Sequence, residues 1–106
     1  NEATQDGFVA YDNPQEDSND DEYIFPNSDK EYLTQQDIAY MTSEGIQQAV
    51  NEIYARHGRV FQKADVAAYF ASKSWYHPIQ GKTDDQIVAE FNSYEKANVD
   101  FLAKYL

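Results

Sequence analysis

This chain predicts an all-α fold: a small compact bundle of three to four helices behind a disordered acidic N-terminal arm. Three observations point there. Apolar residues recur at helical spacing, as in Ile46, Val50, Ile53 and Tyr54, or Ile87, Val88, Phe91 and Tyr94. Threonines stand where helices would begin, at Thr34, Thr42 and Thr83. Strand alternation is almost absent; Arg59 to Gln62 is the one candidate, and it has no obvious partner.

The elements follow in order. Thr34 fits an N-cap, with Asp37 three residues on and Leu33 and Ile38 flanking as a hydrophobic staple. This first helix is short and stops near Met41. Thr42 caps again, and a helix from Ser43 to His57 puts Ile46, Val50, Ile53 and Tyr54 on one face. Gly58 is free to take the left-handed conformation that ends a helix. After a link at residues 59–62, Lys63 to Ser72 reads as a third helix through Val66, Ala67 and Phe70. Ser74 to Lys82 is a loop broken by Pro78 and Gly81. Thr83 and Gln86 make a full capping box for a last helix expected to run unbroken to near the C-terminus.

The 106 residues allow one domain. Residues 1–33 hold ten acids and one base, a net of −9, whereas residues 34–106 hold nine acids and seven bases, a net of −2. The acidity thus belongs to the leading segment. Residues 1–22 read as an acidic linker or disordered arm, too poor in apolar surface to offset the entropy of ordering. Residues 23–106 are the helical domain. Tyr23-Ile24-Phe25-Pro26 is apolar enough to dock on it as an extended strip. A domain this small needs large side chains to build a core, and aromatics supply them.

With no cysteine, disulfides and metal thiolates are excluded. No apolar run reaches the ~20 residues of a membrane helix. An acidic chain without a basic stripe argues against nucleic acid. No phosphate loop or nucleophile elbow appears, and His57 and His77 are the only histidines. No catalytic residue, metal ligand or cofactor is expected.

The richest peptide is Asn51-Glu52-Ile53-Tyr54-Ala55-Arg56-His57-Gly58-Arg59. It is similar to the centre of the YARHG domain family, whose motif reads Tyr54 to Gly58 here. Tyr32-Leu33-Thr34 with Asp37-Ile38, then Phe61, Tyr69-Phe70, Trp75-Tyr76 and Glu95-Lys96-Ala97-Asn98 resemble further blocks in order, over residues 32–106. Val50 departs from the pattern, which leads one to expect an arginine there. The resemblance implies a bacterial extracellular module, tethered through a segment outside this chain, and no particular reaction.

Each polar candidate has two readings. His57 is either a ligand-binding imidazole or a helix-end histidine that satisfies carbonyls or a buried partner; the second is preferred. Arg56 either grips a carboxylate ligand or pairs with Glu52 or Glu95. Asn51 and Asn98 lie beside apolar stripes, where amides staple loop backbone to helices. The expected structural network is Asn51, Glu52, Arg56, His57, Glu95 and Asn98, with Arg56, Glu95 and Asn98 joined inside the bundle. The binding candidates are Trp75, Tyr76, His77, Arg56 and Arg59. Flat rings in a loop suit the apolar faces of sugars, although for Trp75 the role of core plug is preferred. The function these readings favour is a non-catalytic accessory module that binds a cell-wall glycan or peptide or another surface protein. The alternative is a protein-interaction or spacer domain that positions neighbouring modules.

Overall fold

The structure, a computed structural model, describes residues 22–106. Five helices make up its regular structure: α1 (Gln35–Ile38), α2 (Ser43–Ala55), α3 (Ala64–Ala71), α4 (Asp84–Glu90) and α5 (Ser93–Ala103). No strand occurs among the described residues, so residues 59–62 are a link only. The expected arm lies outside these residues except for Glu22.

The predicted caps form. The Asp37 carboxylate accepts the Thr34 N–H at 2.8 Å, and the Thr42 hydroxyl accepts the Gly45 N–H at 3.1 Å. Thr83 and Gln86 exchange both bonds of their box. Gly58 takes φ +93° and ends the turn that follows α2.

The last helix departs from expectation, because it is two helices. The chain leaves helical geometry at Phe91 (ψ 137°), and Asn92 caps α5 by accepting from the Glu95 N–H while Glu95 accepts from the Asn92 N–H. This reciprocal box outweighs the apolar stripe running across it. The Asn92 side chain also donates to the Asp29 carbonyl at 2.9 Å, which fixes the corner.

Helix α2 is the central element and packs on α5 and α4. Ile46, Ala49 and Ile53 of α2 bury against Ile38 and Leu102 in an aliphatic cluster. Full burial of a side chain such as Ile53 or Leu102 contributes about 2 kcal/mol. Ala55, Phe61 and Phe70 form a second cluster, with Trp75 and Tyr76 against it. Ile24 and Phe25 pack on the aliphatic cluster, as the docking of residues 23–26 requires. Their segment is not an extended strip, however. It coils through turns closed by Ser28 N–H to the Phe25 carbonyl and Lys30 N–H to the Asn27 carbonyl.

Candidate functional site

The end of α2 and the two residues after it present three polar side chains, two to the leading segment and one to Glu90 and Glu95. Glu52 is fully buried. Its two carboxylate oxygens accept the Ile24 N–H at 2.7 Å and the Phe25 N–H at 3.0 Å. Burial pushes its carboxyl above the ordinary range, against the pull of those two backbone donors and of Arg56.

Arg56 turns to the same leading segment. Its Nη1 donates to the Phe25 and Pro26 carbonyls and to the Ser28 hydroxyl at 3.3–3.4 Å. Its Nη2 lies 3.5 Å from the Asp29 carboxylate, and its guanidinium covers the Tyr23 ring at 4.6 Å.

His57 faces the opposite way, between two acids. Nε2 stands 2.7 Å from Glu95 and Nδ1 3.2 Å from Glu90. Lys82 ties this corner together by donating to Glu90 and to the His57 carbonyl, each at 2.8 Å. Those donors hold the Glu90 carboxyl below its ordinary range. Asn98 is buried and fully used: Oδ1 accepts the Leu33 N–H, and Nδ2 donates to the Ser28 and Glu31 carbonyls.

The expected network therefore divides. Arg56 does not reach Glu95; His57 does, because residues 22–31 coil over the Arg56 side of α2 and offer it carbonyls and Asp29. Among the described residues, Arg56 and Asn98 meet through Ser28, one at its hydroxyl and the other at its carbonyl. Asn51 stands apart, bonded along the outer face of α2 to Gln47 and Gln48. No sequence spacing marks Ser28, Asp29 or Lys82 as partners.

Gly58 has no substitute in this geometry. A Cβ there would meet the Ile79 side chain at 2.8 Å and the His77 carbonyl at 3.2 Å. The close approach lets the Gly58 carbonyl accept the Ile79 N–H at 2.8 Å and anchors the loop after α3.

The aromatic loop is also committed internally. Trp75 is half-buried, stacks on Tyr23 at 4.9 Å between centroids, and donates Nε1–H to the Glu22 carbonyl at 2.8 Å. Tyr76 donates its hydroxyl to the Arg59 carbonyl at 2.6 Å, and burial pushes its phenol upward. Only His77 of the three is exposed. Glu22, assigned to the arm from sequence, accepts from the Ser74 N–H and hydroxyl, which lower its carboxyl.

Arg59 is the binding candidate that borders open space. A recess of about 310 Å³ lies between α2 and the start of α3. Arg59 and Lys63 line it with the carboxamides of Gln47, Asn51 and Gln62 and the Phe61 ring. Asp84 pairs with Arg59 through Nε at 2.8 Å. Among the described residues no three His, Asp or Glu side chains form a metal-binding group. No described helix is long and apolar enough to cross a membrane.

No curated protein and no solved structure matches the chain. A sequence model of the YARHG domain matches residues 21–105, and the span takes in the leading segment that Glu52, Arg56 and Asn98 hold down. By that match over most of its length, the chain belongs to the YARHG domain family.

Proposed function

We propose that this chain is a non-catalytic, extracellular bacterial accessory module that binds a cell-surface component, with the YARHG peptide serving as scaffold. One observation supports this reading above others: Glu52, Arg56 and His57 spend their polar atoms on the chain's own backbone and side chains, while Arg59 borders an open recess. A group tied down in this way builds the domain; a binding residue keeps donors free for a ligand.

The test is co-sedimentation of the purified chain with insoluble bacterial cell-wall material. Capture should fall with Lys63→Gln and persist with His77→Ala, which alters an exposed residue outside the recess. Capture indifferent to Lys63, or none at all, overturns the reading. The alternative, a spacer that positions its neighbours, draws support from Trp75 and Tyr76, whose hydrogens are both donated inside the domain. It predicts no capture from wall material under any condition.

A further inference from the structure

We propose that the recess between α2 and α3 is a subsite for a carboxylated sugar. This inference rests on the binding reading above and names its ligand class. The charge pattern is the first support. The chain holds 19 acids and 8 bases. Yet the residues lining this recess include Arg59 and Lys63 and no acid. A local cationic spot in an anionic chain attracts an anion that the rest of the surface repels.

The second support is how Arg59 is held. Asp84 takes Nε at 2.8 Å and Nη2 at 3.4 Å. The guanidinium also lies over the Phe61 ring at 5.0 Å and the Tyr54 ring at 5.7 Å. Its fork is thus fixed before any ligand arrives, and Nη1 has no partner among the described residues. Prior fixing lowers the entropy lost on binding. Asp84 lines an adjoining recess with Arg59, Gln47 and Asn51, and its charge favours a ligand with one negative charge over one with two.

The third support separates a sugar acid from a bare anion. Gln47 Nε2 donates to Asn51 Oδ1 at 3.1 Å, and Asn51 Nδ2 donates to Gln48 at 3.0 Å. This relay orients the carboxamides and leaves the Gln47 oxygen as an acceptor. Gln62 adds an exposed carboxamide beside them. Hydroxyl groups both donate and accept, so they match such a row. Val66 and the edge of the largely buried Phe61 ring give the recess a small apolar side. The volume, about 310 Å³, is at the lower end for a small-ligand site.

The experiment is a titration of the isotope-labelled chain followed by NMR, with glucuronate, glucose and acetate as separate probes. Glucuronate should shift the side-chain amide signals of Gln47, Asn51 and Gln62 and the Arg59 Nε–H, saturating with a Kd on the order of 1 mM. Glucose and acetate should each bind about 10-fold more weakly or not at all. Lys63→Gln should weaken glucuronate about 5-fold, the size expected of one exposed charge pair. Lys63 is exposed at the start of α3 and makes no side-chain capping bond there, so the remaining amide spectrum should stay in place. Equal shifts from acetate reduce the recess to an unspecific anion spot and overturn the proposal. Equal shifts from glucose, or saturation at other residues, overturn it as well. Wall capture that depends on Lys63 without any glucuronate response sinks the ligand class alone; loss of both sinks the binding reading too.

Discussion

The aliphatic cluster under α2 and α5 and the aromatic cluster around α3 both fasten a neighbouring loop, with opposite division of labour. In the first, helix side chains grip loop backbone: Glu52 takes the N–H groups of Ile24 and Phe25, and Asn98 takes Ser28, Glu31 and Leu33. In the second, the loop supplies the side chains, as Trp75 reaches the Glu22 carbonyl and Tyr76 the Arg59 carbonyl. Helix length accounts for the difference. Helices α2 and α5, at 13 and 11 residues, bury enough aliphatic surface to position a short buried polar group. Helix α3 has eight residues and buries only Phe70 completely, so the loop brings rings whose polar tips find backbone.

Phe70→Ala should break the aromatic side outright. Phe70 is fully buried and meets Phe61 and Tyr69 at 4.9 Å, with Trp75 and Tyr76 about it. The loss should be about 3–5 kcal/mol in urea unfolding. Trp75 fluorescence should report it even where α2 and α5 stay folded.

Asn98→Ala is the matching break on the aliphatic side. It strands one N–H and two carbonyls and should cost roughly 3 kcal/mol. Hydrogen exchange should quicken at Leu33, whose N–H loses its acceptor, more than at Ile79 or Tyr76. Equal quickening everywhere would mean that the two clusters unfold as one unit.

Glu52 sharpens the contrast through pH. Burial raises its folded-state value, so the native protein holds that proton more tightly than the unfolded chain. Its contribution is complete below the ordinary glutamate range, about pH 4, and is lost as pH rises through the raised value. Glu22 and Glu90 shift downward and act with the opposite sign, their stabilisation fading as pH falls. Both are common to the parent and Glu52→Gln, so subtraction isolates Glu52. The stability gap between parent and variant should narrow from pH 4 to pH 7; a gap that widens would reverse the assignment.

Tyr76→Phe is the mildest test. It removes one hydroxyl bond and keeps the ring, for an expected loss of about 1 kcal/mol by thermal unfolding.

Much of this architecture is legible in the chain because it is local. Thr34, Thr42 and Thr83 act within four residues of themselves and Gly58 ends the turn beside it, so capping rules and left-handed glycine geometry find them, although the Gly58 contact with Ile79 leaves no local sign. Asn92 obeys the same rule, but Ile87, Val88, Phe91 and Tyr94 carry a helical stripe straight over it and conceal the break. The tertiary polar bonds leave no such trace. Glu52 meets residues 27 and 28 positions earlier, and Asn98 meets Ser28 across 70. Arg56 was expected at Glu95, whereas neighbouring His57 takes that place; a single residue's rotation around α2 decides which side chain faces α5. Of the binding candidates, Arg59 alone lies against the recess, and its companions there, Gln47 and Gln62, look like ordinary surface residues in sequence.

Glu22 gives the molecule a mechanical property. Among the described residues, tension applied at the leading end is borne first by the Glu22 bonds to Ser74 and Trp75 and by the Tyr23–Trp75 stack. The load reaches the Glu52 clasp only after those yield. A domain pulled from that end should give way in stages, like a seam with two rows of stitching, and a force trace would record the outer row as a separate early event.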